Sequence, residues 1–332
     1  RETDFVTYLP LDLSFIVRRV ISKINPSLFL IVETEIWPNL ISVLAKKHIP
    51  VVLLNGRISD ASYKGYKTIN SIIRRVLDGI NLFCVQTEND SRRFRDLGVP
   101  ENKIKVTGNL KFDLKIDTQK FTFDYRNKLM LKSADILFTA GSTHAPEEQV
   151  VLDVFKILAC EFDNLKLLIA PRHPQRAKEI SQLASSRGFN PAFISESPKE
   201  CTTCMTRQVF ILDTIGELIS FYSASDIVFV GGSLVKRGGH NILEPAALGK
   251  PVLFGPFMHN FRDIAELFLS NSAAIQVNNQ EDLRDKLLFL LDDNSQRQRL
   301  ASNAYNLFLS RQGAAARTVK YIEELVADKG IL

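Results

Sequence analysis

The sequence has few cysteines and no long apolar run. Among its four cysteines in 332 residues, only Cys201 and Cys204 form a C-x-x-C pair. Because no second pair follows to complete a zinc site, we expect reduced thiols without a metal or redox role. The longest apolar runs have the length of a strand, well short of the roughly 20 residues that a membrane span needs. We therefore expect neither a transmembrane anchor nor a secretory signal in the chain as given.

The motifs of several common enzyme classes are also absent. The sequence contains no G-x-G-x-x-G fingerprint, no G-x-x-x-x-G-K-[ST] loop and no G-x-S-x-G elbow. This argues against a nicotinamide dehydrogenase, an NTPase and a serine esterase. Asp-x-Asp is missing as well, so a metal ion that bridges a sugar diphosphate is not indicated. We expect no metal and no cofactor, and the protein itself must then neutralise the phosphate charge of a bound nucleotide.

Positive charge is concentrated in the first part of the chain. Residues 1–116 hold 18 Lys and Arg against 12 Asp and Glu, whereas the remainder holds 24 against 25. An anionic surface or acceptor is therefore expected to meet the first part. The alternative is that the basic pairs only solvate helix faces.

Short apolar runs alternate with segments of helical period, a pattern typical of parallel sheets covered by helices. We predict an α/β protein with two doubly wound lobes that face each other across a cleft, a first domain over 1–116 and a second over 117–332 that includes the closing helices of 280–328. The polar stretch 109–124 is the predicted linker. The predicted strands are 28–32, 51–55, 82–86, 104–107, 136–140, 165–170, 208–212, 226–230, 251–254 and 274–277, and the predicted helices of the first lobe are 39–48, 68–77 and 88–97.

The most informative turn follows the predicted strand 226–230. Gly231 and Gly232 end this strand, cations follow, and a helix is predicted to open near Asn241. Glycines allow close approach of a ligand to the backbone, and free N–H groups at a helix start attract phosphate. Glu244 is suited to accept hydrogen bonds from the two hydroxyls of a ribose. The alternative is a glycine-rich connection with a structural glutamate.

Other strand ends of the second lobe also carry polar or cationic groups. Arg172 and His173 follow one strand, Ser142 lies in a G-S-T-H turn after another, and Ile215-Gly216-Glu217 follows a third. Ligands of open α/β sheets bind at the carboxyl ends of strands. These turns therefore predict a nucleotide cleft, although an arginine after a strand is also common as a structural cap.

In the first lobe, Glu33 and Glu35 directly follow a predicted strand and lie beside Trp37. Two carboxylates in this position are costly to desolvate unless they are used or paired. The alternative is that one of them caps the helix 39–48 and the other is solvated. Lys111 is predicted to be either a linker residue in water or a cation that points into the cleft.

Five segments resemble the 3-deoxy-D-manno-octulosonic acid (Kdo) transferases of lipopolysaccharide synthesis and occur in family order. They are V-E-T-E-I-W-P-N-L at 32–40, G-N-L-K-F-D at 108–113, G-S-T-H at 141–144, P-R-H-P at 171–174 and G-G-H-N-I-L-E-P-A-A-L-G-K-P-V at 238–252. The resemblance implies a GT-B fold, an acceptor-binding first lobe, a second lobe that binds CMP-Kdo, and metal-independent transfer with inversion to a lipid A precursor (lipid IVA). It also implies the cytoplasmic face of the bacterial inner membrane, with a peripheral protein or one held by an upstream segment, and no nucleic-acid partner.

The resemblance assigns roles to residues by their position in these motifs. Glu33 and Lys111 become the catalytic candidates, both as groups that stabilise the transition state. The implied contacts to the CMP-sugar are Ser142, Pro171, Arg172, Ile215, Gly216, Glu217, Asn241, Ile242, Leu243 and Glu244.

The sequence departs from the family pattern in three places. Ile215 replaces the common Met, and Ala145-Pro146 replaces a Gly. The third departure is that the family's proposed base, a glutamate after glycine, lies upstream of Arg1. Unless Glu33 or Glu35 takes over that role, the chain is expected to bind CMP-Kdo but to transfer it poorly. The alternatives are a GT-B transferase or epimerase that uses a UDP-sugar, and a non-catalytic remnant that binds nucleotide or lipid.

Overall fold

The computed structural model describes residues 5–116, 124–196 and 208–330, so the Cys201–Cys204 pair lies outside the described residues. The described chain forms two compact units. The first contains residues up to Asp113 and those from Arg311 onward, and the second runs from Leu114 to Ser310.

The first unit is built on a parallel sheet with the order β1-β2-β3-β4 among its described strands. These strands are β1 (Phe29–Val32), β2 (Val51–Gly56), β3 (Leu82–Val85) and β4 (Ile104–Val106). Its helices are α1 (Ser14–Ile24), α2 (Pro38–Lys46), α3 (Asp60–Thr68), α4 (Asn70–Asp78), α5 (Glu88–Asp96) and the final helix, α14 (Ala314–Asp328). The strands are largely apolar, as is typical of a parallel sheet that helices cover on both faces, although Leu30 and Val32 of the edge strand β1 are exposed.

The final helix packs on the sheet of the first unit. Its residues Tyr321, Ile322 and Leu325 lie against a cluster formed by Val52, Leu82 and Cys84 of β2 and β3. The predicted boundary at 116/117 had placed all C-terminal helices in the second domain. In the structure, α14 belongs to the first unit, because its apolar side covers one face of the sheet formed by β1 to β4.

The Asp113 carboxylate links the segment where the chain leaves the first unit to the segment where it returns. Asp113 accepts hydrogen bonds from the backbone N–H groups of Gly313, at 2.5 Å, and Ala315. Both donors lie at the start of α14, where backbone N–H groups lack partners within the helix. The chain thus leaves the first unit and returns to it at neighbouring positions.

The second unit is built on a seven-stranded sheet of described strands, all parallel, in the order β11-β10-β9-β5-β6-β8-β7. The strands are β5 (Ile136–Thr143), β6 (Leu165–Pro171), β7 (Asn190–Phe193), β8 (Gln208–Ile211), β9 (Ile227–Val230), β10 (Val252–Phe254) and β11 (Ile275–Gln276). The helices are α6 (Tyr125–Lys128), α7 (Glu147–Leu158), α8 (Ala177–Ser186), α9 (Leu218–Ala224), α10 (Leu243–Ala247), α11 (Arg262–Ser270), α12 (Gln280–Asp292) and α13 (Asn294–Ser310).

The order of this sheet determines which turns are neighbours. Strands β9, β5 and β6 are adjacent and run in the same direction. The turns that follow them therefore lie at the same edge of the sheet, where ligands bind in open α/β folds.

Each of the ten predicted strands coincides with a strand of the structure, which confirms the parallel α/β prediction. The edge strand β7 and the helices α1 and α3 were not predicted. Strand β7 has the sequence N-P-A-F, in which the proline lacks a backbone N–H and is tolerated because β7 lies at the edge of the sheet. Helix α3 has no buried residue, so its sequence carries no apolar stripe.

Candidate functional site

In the first unit, Glu33 follows β1 directly and lies close to Lys111. Its backbone adopts the left-handed conformation with φ at 61°, and its N–H donates to the carbonyl of Leu54 on the neighbouring strand. The carboxylate Oε1 is 3.5 Å from Nζ of Lys111, with side chains 47% and 37% exposed. A left-handed conformation is uncommon for residues other than glycine and is often found at functional sites. The two catalytic candidates therefore form an accessible ion pair.

Glu35 occupies a different environment from Glu33. It is exposed, and burial raises the pKa of Tyr66 while the nearby Glu35 carboxylate raises it further. Neither glutamate caps the following helix. Asp12 does so instead, because its carboxylate accepts the N–H groups of Asn39 at 3.0 Å and Leu40 at 2.8 Å. The alternative that a glutamate serves as this cap is wrong.

In the second unit, the ends of β5 and β9 approach each other closely. A Cβ added to Gly231 would lie 2.7 Å from Cα of Thr143, and one added to Gly141 would lie 2.0 Å from the Tyr222 hydroxyl. Ser142 has φ at 57° and is partly buried. Glycine is needed at both positions because any side chain would overlap these neighbouring atoms.

A buried carboxylate holds these two turns together. Glu147, only 1% exposed, accepts the backbone N–H of His144 at 2.9 Å and those of Gly232, Ser233 and Leu234 at 2.7, 2.9 and 2.8 Å. Burial raises the pKa of Glu147, and the four hydrogen bonds oppose that rise. The turns after β5 and β9 are therefore fixed by one side chain.

Three histidines meet at the ends of β5, β6 and β9. The rings of His144 and His240 lie parallel within 8°, with their Nε2 atoms 2.9 Å apart. The His173 ring contacts that of His144 edge to face, with ring centroids 5.7 Å apart. Gly232 packs against this cluster, since an added Cβ would come within 2.8 Å of the His240 ring. We call these three residues the imidazole cluster.

Arg172 lies beside the imidazole cluster. It follows the buried Pro171, its N–H donates to the carbonyl of Thr143, and its side chain is exposed. The positive charge of Arg172 lowers the pKa of both His240 and Glu244. Burial raises the pKa of Glu244, and the Asn241 hydrogen bond and the Arg172 charge lower it. An exposed guanidinium and a largely buried carboxylate thus belong to one site.

The segment around Asn241 agrees with the predicted start of a short helix. Helix α10 begins at Leu243, two residues after Asn241, and spans only five residues. Asn241 accepts the Leu243 N–H at 3.1 Å and donates to Glu244 at 3.2 Å, whereas the side chains of Ile242 and Leu243 are fully buried. Since so short a helix aligns few peptide dipoles, the start of α10 adds little positive charge to the site.

The turn after β8 presents mainly backbone. Ile215 is 84% exposed, and Gly216 has φ at 89° with open space around it. Glu217 is engaged by the protein, since it accepts from Lys128 at 3.0 Å and from the Thr214 hydroxyl. Burial raises the pKa of Glu217, but these two hydrogen bonds outweigh it, and the net pKa lies below the usual value.

Sequence reasoning missed Glu147 and the imidazole cluster as a unit. The signal for Glu147 was an acid three residues after His144, in the first turn of a helix, which resembles a capping pattern. The histidines are separated by 29 and 67 residues, so only the strand order brings them together. Among the described residues, no three His, Cys, Asp or Glu side chains are arranged to hold a metal ion.

Two parallel α/β units, with glycine-rich and cationic turns at the carboxyl ends of the second unit's strands, define a two-lobed GT-B glycosyltransferase. Residues 1–114 match the family described as 3-deoxy-D-manno-octulosonic-acid transferase, and residues 126–307 match the glycosyl transferases group 1. The 3-deoxy-D-manno-octulosonic acid transferase of Haemophilus influenzae is 35% identical over 96% of this chain and 74% of its own length. The chain belongs to the Kdo transferase family, which confirms the resemblance of the motifs.

Other relatives are longer than this chain. The Kdo transferase of Chlamydophila psittaci is 36% identical, and the match covers 87% of this chain but 65% of that protein. The bifunctional glycosyltransferase/methyltransferase of Fusobacterium nucleatum is 38% identical, and only 43% of its length is covered.

Solved structures agree with the fold. The C-terminal CMP-Kdo binding domain of WaaA from Acinetobacter baumannii superposes with a TM-score of 0.52 at 28% identity, over 57% of this chain and 96% of that domain. The UDP-GlcNAc 2-epimerase of Neisseria meningitidis gives a TM-score of 0.60 over 94% of this chain and 80% of its own, but at 17% identity this likeness concerns the fold alone.

Proposed function

We propose that the protein transfers Kdo from CMP-Kdo to a lipid A precursor, lipid IVA, in lipopolysaccharide core synthesis. The observation that carries the proposal is the grouping of Arg172, Glu244 and the imidazole cluster at one sheet edge of a Kdo transferase family member. The likeness of the second unit to a CMP-Kdo binding domain supports the same donor.

In the proposed donor site, the nucleotide is held by polar groups and backbone. Glu244 accepts hydrogen bonds from the ribose hydroxyls, and Arg172 neutralises the phosphate through its planar fork of donors. Pro171, Ile242 and Leu243 have buried side chains, so they offer CMP their backbone atoms. Ser142 and Asn241 are only partly buried and can add polar contacts.

The turn Ile215-Gly216-Glu217 is proposed to receive the cytosine. Ile215 exposes an apolar side chain to which a base can pack, and Gly216 leaves its backbone open. Glu217 is held by Lys128 and Thr214 and thereby fixes the shape of this turn. Because Ile and Met both offer an apolar side chain here and the Gly216 contact is made through backbone, Ile at this position is compatible with the role.

The proposed chemistry is attack of an acceptor hydroxyl on the anomeric carbon, with CMP leaving from the opposite face. Glu33 or Glu35 is proposed to remove the hydroxyl proton, and negative charge grows on the departing phosphate. In the first unit, the Lys111 ammonium beside Glu33 is proposed to stabilise the transition state. No metal is required for these roles, because a single phosphate carries less charge than a diphosphate.

The first unit is also proposed to meet an anionic membrane at the cytoplasmic face of the bacterial inner membrane. Phe5, Tyr8 and Phe15 are exposed although apolar or aromatic, and Arg18 and Arg19 lie in the same segment. Apolar side chains flanked by cations suit the interface of an anionic bilayer. No helix among the described residues has the length and apolarity to cross a membrane.

Two measurements test the proposed function. The first is transfer of Kdo from CMP-Kdo to lipid IVA, followed by mass spectrometry of the lipid, in the wild type and in Arg172→Ala. Arg284→Ala, an exposed arginine of α12 paired with Asp285, is the matched control. The second is competition between CMP and UDP for the donor site. Tighter binding of UDP than of CMP contradicts the CMP-sugar assignment and favours a transferase or epimerase that uses UDP-sugars.

A further inference from the structure

The imidazole cluster is surrounded by more positive than negative groups. His240 faces His144, His173 and Arg172, and His144 also faces Arg237, Arg176 and one acid, Glu148. Glu148 is itself paired with Arg176, at 2.7 Å. Among the described residues, the one carboxylate that acts on these rings is therefore already paired with a cation.

Without a ligand, this environment favours the neutral form of the His144 and His240 rings. Burial lowers the pKa of His240, and His144, Arg172 and His173 lower it further, to about 4. Burial and the Arg237 charge lower the pKa of His144 as well. A neutral imidazole has one N–H donor and one acceptor nitrogen. At 2.9 Å, one Nε2 of the pair therefore donates its proton to the other.

An added proton changes the hydrogen-bonding capacity of the His144–His240 pair. With both rings protonated at Nε2, each ring donates and neither accepts, so the direct Nε2 contact is replaced by two N–H groups available to an anion. An incoming anion favours the charged form of the rings. Anion binding and proton uptake from solvent are therefore linked.

The cluster also has a defined position relative to the proposed nucleotide site. His240 directly precedes Asn241 in the chain, Glu244 follows three residues later, and Arg172 acts on both His240 and Glu244. If the ribose lies at Glu244 and the phosphate at Arg172, the next group of the donor falls on the side of His240. In a CMP ester of a 2-keto sugar acid, the phosphate is bonded to the anomeric carbon, and that carbon carries the carboxylate.

We propose that His144, His173 and His240 form a carboxylate subsite that selects acidic sugar donors and takes up a proton as the donor binds. This inference rests on the proposed function, because it assumes that a CMP-sugar occupies the second unit. It assigns the choice of an acidic sugar to three residues that lie outside the nucleotide contacts inferred from the family motifs.

The experiment compares two phosphodiesters, CMP-Kdo and the 5′-methyl ester of CMP, which lacks the carboxylate. Calorimetric titrations at pH 8 and pH 6, each in two buffers of different ionisation enthalpy, give the Kd and the number of protons taken up. For a single linked proton, we expect the Kd of CMP-Kdo to fall about tenfold from pH 8 to pH 6, with uptake of up to one proton. The Kd of the methyl ester should change little.

His240→Gln and His144→Gln keep a polar group near Nε2 but cannot be protonated. Each variant should bind the methyl ester as the wild type does and lose both the proton uptake and the pH-dependent gain for CMP-Kdo. His48→Asn is the matched control, because His48 lies in the first unit at φ 56°, a conformation that Asn tolerates. It should behave as the wild type.

The outcomes separate this inference from the proposed function. If the methyl ester binds but CMP-Kdo shows no additional proton uptake, or if the Gln variants retain it, the carboxylate subsite is refuted while CMP binding stands. If neither phosphodiester binds to the wild type, the proposed donor is wrong and the subsite falls with it.

Discussion

The Lys111 ammonium lies 3.5 Å from the Glu33 carboxylate, although 78 residues separate them in the sequence. Glu33 directly follows the edge strand β1, and Lys111 follows β4 at the other edge of the described sheet. Folding of the sheet thus joins the two family motifs that contribute the catalytic candidates. Because both side chains are partly exposed, the pair contributes little to stability, about 0–1 kcal/mol for such contacts.

Lys111→Ala should lower kcat for transfer by about 10²-fold, because it removes a cation proposed to act on charge in the transition state. CMP binding to the second unit should not change. Steady-state kinetics and calorimetry check the two expectations, with the exposed Lys115→Ala as the control. An unchanged kcat in Lys111→Ala argues against the catalytic assignment.

Glu147→Gln should destabilise the second unit by about 1–3 kcal/mol. In the wild type, four backbone N–H groups share the two carboxylate oxygens, whereas a carboxamide offers them only one acceptor oxygen. Chemical denaturation measures the change. Glu179→Gln, on the exposed surface of α8, is the control and should cost much less. Equal stabilities of the two variants would mean that Glu147 does not hold the turns after β5 and β9.

The ligand-free protein should lose stability in acid through His240. Its folded-state pKa of about 4 lies below the ordinary histidine value, so the unfolded chain binds more protons between the two values. This contribution to the free energy of unfolding is complete above pH 6.5 and declines as the pH falls toward 4. His240→Gln should make the decline shallower in urea titrations at pH 7, 6 and 5. A decline as steep as that of the wild type contradicts the assignment.

Gly141→Ala should destabilise the protein, since the new Cβ would lie 2.0 Å from the Tyr222 hydroxyl. Overpacking of this kind costs about 1–3 kcal/mol. Tyr222→Phe removes the hydroxyl and should recover part of the loss in the double variant. Denaturation of the four proteins of this cycle gives the coupling energy. Additive effects would show that the hydroxyl is not the cause.

Ile322→Asp should expose the apolar face of the first unit's sheet. Burial raises the pKa of the Cys84 thiol to about 12 and keeps it unreactive, but a carboxylate at position 322 displaces α14 from this face. Alkylation followed by peptide mass mapping should then show faster modification of Cys84. Val319→Asp, on an exposed position of the same helix, is the control, and the exposed Cys160 is the internal reference. Equal protection of Cys84 in both variants contradicts the packing role of α14.

The elements that could be predicted from the sequence are those that depend on a local pattern of apolar residues. The strand 165–170 is recognisable because five of its six residues are apolar, and the structure buries every residue of β6. The turn containing Gly231 and Glu244 was recognisable because its glycines and acid lie in one short segment.

What the sequence did not reveal depends on distant pairing. Asp12 caps α2 from another segment of the chain, and Glu147 binds a turn 85 residues away. Neither pairing has a periodicity or a spacing that a linear pattern can contain. The position of α14 is similar, because its amphipathic face fits any sheet and only the fold decides which one it covers.

The order in which the parts of this chain can fold follows from the Asp113 hydrogen bonds to Gly313 and Ala315. During synthesis, the strands of the first unit precede the second unit, and the helix that covers Val52, Leu82 and Cys84 follows it. The second unit is contiguous and can close while synthesis continues. This face of the first unit's sheet therefore stays uncovered, and accessible to chaperones or to the wrong partners, until α14 has been translated.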